Sequence, residues 1–297
     1  MDKTVSSSPV SIFKPEDASC YLPQVNRAET DADFYHSVSK NSEAIHALRV
    51  ADQVIGLACM QEDDEGFIYI YIFPHHRRKG YGYQALQALE AHMCSGNHLN
   101  LSTAYDSRNE IAGKFARKCG FRDKFATAVL VYRGGKFDLP ELPIRKHRDA
   151  DFYEAYTMSA EAFHIMRLET GHDPNSVPYP PDEEARQYCA ETAAGRYIYE
   201  ENGEIIGCAY LDGTEISLVA IKTTHQGKGH GRLLVKFLVN RILEQNIGEP
   251  FLFCLVSNTK ARGLYDSLGF TEFQRNVYAV KALEPAPSFS TETEDTV

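Results

Sequence analysis

Six consecutive residues, QGKGHG from Gln226 to Gly231, carry the clearest chemical signal in this sequence. They follow an apolar strand-like run and open a helix-like one, the context in which backbone N–H groups and the helix dipole make an anion site. Glycine at 229 and 231 lets the backbone approach that anion with no side chain between them. A phosphorylated molecule is the natural guest. The loop is not a G-x-x-x-x-G-K-[ST] phosphate loop, and the third glycine of a dinucleotide G-x-G-x-x-G is missing. Metal chemistry has little support, because His75 and His76 are adjacent and no H-x-x-x-H or Cys/His quartet occurs. The seven cysteines include no C-x-x-C pair and fit a reducing cytosol better than a disulfide framework. Cys59, Cys119, Cys208 and Cys254 sit in apolar surroundings and read as buried spacers.

The elements that must position this loop occur twice. Gly229 and Gly80, Gly231 and Gly82, Asn258 and Asn109, Gly269 and Gly120, and Phe270 and Phe121 each stand 149 positions apart. A constant offset with no gap marks an internal duplication, which decides the architecture. Upstream, Ile12 and Asp17 answer to Ile144 and Asp149 at an offset of 132, so the second copy is longer ahead of its loop. The extra length falls around EAFHIMRLETGHDPNSVPYPPDEEA, whose glycine and prolines mark a loop between helical pieces.

In the second copy, Arg196–Glu200, Ile205–Leu211 and Glu215–Ile221 read as strands and Gly229–Gln245 as a helix. PFLFCLV reads as a short buried strand, Thr259–Leu268 as a helix stopped by Gly269, and Asn276–Lys281 as a last strand. The expected organisation is 1–138, then 139–284 with the junction near Gly134 to Leu142, then a tail over 285–297 too poor in apolar surface to order itself.

Composition narrows the function. At 297 residues, 43% apolar and 24% charged, each half can bury a core. The net charge of −10 opposes a generic polyanion binder, and no basic stripe with interleaved aromatics suggests nucleic acid. The longest apolar run, Phe67 to Phe73, is far shorter than the roughly 20 residues of a membrane span. The first residues lack the apolar block of a secretory signal. A cytoplasmic protein without membrane or nucleic-acid partners is expected, with a homodimer left open.

The order strand, [QR]-x-x-G-x-G, helix, strand, N-x-x-A-x-x-x-Y-x-x-x-G-F resembles the GNAT superfamily of acyl-CoA N-acyltransferases. Here it reads Gln226 to Gly231, then Asn258, Ala261, Tyr265, Gly269 and Phe270, and the first half repeats it more loosely. The resemblance implies an α/β (α+β) fold of two tandem GNAT domains, each a mixed, mostly antiparallel twisted sheet flanked by helices. It implies acetyl-CoA as co-substrate and no metal. The backbone of Val219, Ala220 and Ile221 would pair with the pantetheine arm. Gln226, Gly227, Lys228, Gly229, His230, Gly231 and Arg232 would form the pyrophosphate loop, and Asn258 would contact the coenzyme. Lys228, Arg232 and Lys236 would add positive charge.

Acyl transfer to an amine needs a deprotonated nucleophile, a donor for the oxyanion and an acid for the departing thiolate. The resemblance makes Tyr265 the acid and Glu215 the base, with a backbone N–H near Val219 to Ile221 for the oxyanion. Strand alternation places Glu215, Ser217, Val219 and Ile221 on one face. A glutamate five residues before the Asn, used in another branch of the family, is here Phe253. The first copy has Ala116 for Tyr265 and Gly66 for Glu215, and reads as a scaffold or modified binding domain. The expected reaction is acetyl transfer to a primary amine of a small molecule or peptide in the second half, with Tyr179, Tyr188 and Glu183 near the acceptor. The alternative is a non-catalytic acyl-CoA-binding sensor or interaction module.

Overall fold

The computed structural model describes residues 10–283, apart from residue 31 and residues 62–65, 96–97 and 176–178. The expected tail from residue 285 lies outside the described residues. In the first repeat the elements are β1 (Val10–Phe13), α1 (Ala32–Ser39), β2 (Ile45–Val50), β3 (Gln53–Gln61), β4 (Phe67–Ile72), α2 (Tyr81–Ser95), β5 (Asn100–Asp106), α3 (Glu110–Lys118) and β6 (Arg122–Tyr132). The second repeat supplies β7 (Ile144–Lys146), α4 (Phe152–Thr170), α5 (Glu183–Glu191), β8 (Arg196–Glu201), β9 (Glu204–Asp212), β10 (Glu215–Ile221), α6 (His230–Gln245), β11 (Phe251–Leu255), α7 (Thr259–Leu268) and β12 (Phe270–Ala282). Among the described residues, no helix is long and apolar enough to cross a membrane.

Two compact units result, and they do not follow the sequence repeats. Among the described residues, one comprises those of 10–125 with 276–283, the other those of 126–275. Strand pairing gives the reason. Asn276–Ala282 of β12 runs antiparallel to Asn100–Asp106 of β5, so the last described strand joins the unit that holds the first repeat. In the other unit, Thr127–Val131 of β6 pairs antiparallel with Phe251–Leu255 of β11. The expected last strand, Asn276–Lys281, also begins earlier, at Phe270, because the chain turns straight from the C-cap Gly269 (φ 92°) into extended backbone.

The unit 126–275 has the strand order β6-β11-β10-β9-β8-β7, with only β10 and β11 parallel. On one face α6 buries Leu234, Val235, Leu238, Val239 and Ile242, a helical spacing that gives one apolar stripe. They pack with Ala128, Leu130, Ile216, Ile221, Leu252, Cys254, Tyr265 and Phe270. On the other face α4 packs Ala155, Met158 and Ala162 against Ile198, Ile205 and Ala220. The unit of the first repeat likewise packs α2, through Leu86, Leu89 and Met93, on β3 to β5.

Candidate active site

In the unit 126–275, β10 and β11 share one register pair, Glu215 with Phe251. Pairing stops there, so the backbone N–H and C=O groups beyond it face a slot rather than each other. Such groups need partners, and an extended amide-bearing chain supplies them. The strands β4 and β5 are joined in the same way, at Phe67 and Ser102 alone. The slot is therefore common to both repeats.

A bulge distinguishes β10. Ser217 pairs with Tyr210 and Ala220 with Cys208, leaving Leu218 and Val219 opposite Ala209. Leu218 takes φ 50°, a left-handed conformation that a branched residue adopts only under constraint, and is 44% exposed. The bulge turns backbone N–H groups out of the ladder at the position expected to bind the oxyanion. In the first repeat β4 pairs with β3 in unbroken register from Phe67 to Ile72. No local residue type announces this bulge.

The bulge also overturns the expected alternation. Ile216 lies before it and Ile221 after it, yet both pack in the core under α6, while Ala220 packs under α4. One extra residue reverses the parity of the strand. Glu215 and Ser217 therefore share the α4 face and do not share a face with Val219 and Ile221.

Tyr265 is buried in the core under α6, with its ring edge-on to Phe270 at 5.7 Å. Glu215 and Tyr265 thus lie on opposite faces of the sheet. Burial, with Cys254 as a lesser cause, pushes the Tyr265 phenol well above its ordinary value. The Cys254 thiol in the same core is itself pushed up to about 11, chiefly by burial.

The glycine loop has the same backbone in both repeats. Gln226 Nε2 donates to the Ile221 carbonyl at 3.0 Å, and Arg77 Nε donates to the Ile72 carbonyl at 2.9 Å. Gly227 (φ 75°) matches Arg78 (φ 60°), and Gly229 (φ 91°) matches Gly80 (φ 84°). At its N-cap, Gly229, α6 has no side-chain hydrogen bond, so its first N–H groups remain to be satisfied. A Cβ placed on Gly227 or Gly229 would meet no atom within 4 Å, so the ground above the loop is open. These features fit a pyrophosphate.

The cations around the loop are not equivalent. Lys228 is exposed, whereas Arg232 donates to Ser267 Oγ at 2.7 Å and Lys236 stands over the Phe137 ring at 5.1 Å. His230 Nδ1 lies 3.5 Å from the Tyr199 hydroxyl. In the first repeat Arg77 also binds Glu29 at 2.6 Å, which sets a carboxylate beside that loop.

Asn258 serves first as a helix cap. Its Oδ1 accepts from the Ala261 N–H at 3.1 Å, and Asn109 does the same for Ala112 at 3.1 Å. Its Nδ2 group is the part left to donate to a ligand. Of the residues expected near the acceptor, Tyr188 comes toward Glu215 through a cluster. The Arg196 guanidinium stands 5.4 Å from the Tyr188 ring and 5.1 Å from the Tyr210 ring, and Tyr210 pairs with Ser217. Glu183 is the first residue of α5, and Tyr179 is exposed on the preceding loop. The first repeat cannot regain a base at Gly66. That residue has φ 57°, and a Cβ there would stand 2.7 Å from the Asn100 carbonyl oxygen.

Known proteins share this fold. The chain is 25% identical to a mycothiol acetyltransferase of Amycolatopsis mediterranei over 252 residues, 77% of this chain and 81% of the relative. Among solved structures, a GCN5-related N-acetyltransferase from Sphaerobacter thermophilus superposes with a TM-score of 0.69 at 16% identity, covering 94% of this chain and 97% of that one. A tandem GNAT protein from the clavulanic acid biosynthesis pathway gives 0.66 at 14% identity, covering 93% and 99%. The model of the acetyltransferase (GNAT) family matches twice, at residues 12–121 and 159–270. With most of its length in those two matches, the chain belongs to the GNAT acetyltransferase family, as an acyltransferase built from two GNAT repeats in tandem.

Proposed function

We propose that the protein transfers an acetyl group from acetyl-CoA to a primary amine of a small molecule or peptide, with the active site in the second repeat. The observation that carries this reading is an asymmetry. Both repeats keep the slot and the glycine loop, but only the second has the β10 bulge with Glu215 and Tyr265 on its two sides. The similarity to a mycothiol acetyltransferase supports a small-molecule acceptor.

Each residue then has one task. The open α6 N-terminus and the backbone of Gly227 to Arg232 hold the pyrophosphate, with Lys228 adding charge. The unpaired edge at Val219 to Ile221 holds the pantetheine amides, and Asn258 Nδ2 donates to the same arm. Glu215 takes a proton from the amine on the α4 face. A backbone N–H of the bulge stabilises the oxyanion, and Tyr265 protonates the thiolate from the α6 face. Holding both reactants in one slot supplies much of the rate by orientation.

Gly229→Ala tests the loop. A Cβ at φ 91° is strained and projects into the open space above the loop, where the phosphates would lie. The KM for acetyl-CoA should rise about tenfold, a loss of about 1.4 kcal/mol of binding, while kcat changes little. Glu215→Gln tests the base. Glu215 is only half-buried, so water can relay part of the proton transfer, and the loss should sit at the low end for general bases. The expected fall in kcat/KM is about 100-fold at neutral pH, shrinking as pH rises and more of the amine is already unprotonated. Steady-state release of free thiol from acetyl-CoA measures both. An unchanged rate in Glu215→Gln would remove that residue from the mechanism.

A further inference from the structure

Beside Glu215 lies an aromatic surface that the mechanism above does not use. Phe251 is the register partner of Glu215, and the Phe251 and Phe253 rings meet edge to face at 5.9 Å. Leu252 and Cys254 turn into the core under α6, so alternation sends Phe251 and Phe253 to the opposite face, that of Glu215. Val131 and Val129, their partners on β6, continue this face. Although α4 packs on β9 and β10, Phe253 remains 48% exposed in the middle of its strand.

Two further observations set this surface apart. On the other flank of Glu215, Tyr188 and Tyr210 already hold the Arg196 cation between them. Tyr188 is 52% exposed with its ring engaged by that cation, whereas the Phe251 and Phe253 rings meet each other and leave Phe253 48% exposed. In the first repeat the equivalent positions are Ser102 and Ala104, so the pair occurs only in the repeat that carries Glu215 and Tyr265. A lone exposed phenylalanine needs no explanation, but one that continues a face from the carboxylate at the closed end of the slot does.

The geometry points to Phe251 and Phe253 as specificity-determining residues that receive the apolar body of the acceptor, which is an arylalkylamine. This rests on the amine-acetyltransferase reading. Phe253 stands two residues beyond the partner of Glu215, about 7 Å along the strand. A short alkyl tether between ring and nitrogen spans that distance, with the nitrogen at Glu215 and the ring on Phe253. Aromatic rings stack offset or edge to face, and an amine still protonated on arrival is also attracted to a ring face. A polar amine of similar size would leave Phe253 wetted and gain nothing from it.

The test uses the full chain with acetyl-CoA and two probes, 2-phenylethylamine and ethanolamine. Wild type should prefer phenylethylamine by at least about tenfold in kcat/KM. Phe253→Ala should raise the KM for phenylethylamine about tenfold, leave the KM for acetyl-CoA unchanged and barely alter ethanolamine turnover, and Phe253→Leu, which returns apolar area without a ring, should restore only part of the loss. Equal use of the two amines by wild type would overturn the assignment. So would an equal loss for both amines in a Phe253→Ala variant that melts like wild type. Should that variant fail to fold, the wild-type preference decides alone. If neither these probes nor a broad amine panel is acetylated, the N-acetyltransferase reading itself falls, and this inference with it.

Discussion

Tyr265→Phe should lower kcat about 1,000-fold while leaving the KM for acetyl-CoA within about twofold, a larger loss than for Glu215→Gln. The difference follows from burial. Water can reach the half-buried Glu215, but Tyr265 lies in an apolar core where a departing thiolate would find no other solvation. A phenol pushed above its ordinary value is a reluctant acid toward an ordinary thiolate. Cys254 shows how the same core treats sulfur, since its thiol is pushed up to about 11 from an ordinary value near 9. A coenzyme thiolate released there would be raised for the same reason, so acid and acceptor are shifted together and the transfer stays feasible. Because burial raises the phenol, Tyr265 stays protonated throughout neutral and mildly alkaline pH. Wild type should then show no alkaline loss of kcat from this residue below about pH 10. A pH profile of kcat for wild type and Tyr265→Phe measures both points. A variant within threefold of wild type would show that the thiolate leaves without help from Tyr265.

Much of this was legible in the sequence because it depends on local spacing. The 149-residue offset located both loops, and the repeated hydrogen bonds from Gln226 and Arg77 are the physical content of that offset. The boundaries of β8 to β11, α6 and α7 agree with their periodicity and caps to within a residue or two. Two features were not legible. The bulge at Leu218 arises from tertiary constraint, since neither leucine nor its neighbours favour φ 50°. It moved Glu215 to the face opposite Tyr265. The provenance of the edge strands was also hidden, because β6 and β12 carry ordinary strand sequences and nothing in them says which strand they will join.

The pairing of β6 with β11 has the second large consequence. A fragment of residues 139–284, cut at the boundary the repeats suggest, should not fold. It lacks Ala128, Leu130 and Tyr132, three residues of the core that holds Tyr265. Losing one large buried side chain costs about 2–5 kcal/mol, and this cut removes two, together with the ladder along Phe251 to Leu255. Against a typical stability of about 5–15 kcal/mol, little would remain. Asn276 to Ala282 would also lose β5, leaving a bare strand edge prone to association. A fragment of residues 126–275 keeps β6, its whole core and the Phe137–Asn240 hydrogen bonds, and should fold as a cooperative unit. Far-UV circular dichroism with urea titration of the two fragments separates these outcomes. Cooperative unfolding of 139–284 with a midpoint near that of 126–275 would mean that the second repeat closes its own sheet, and that the strand from the first repeat is dispensable to it.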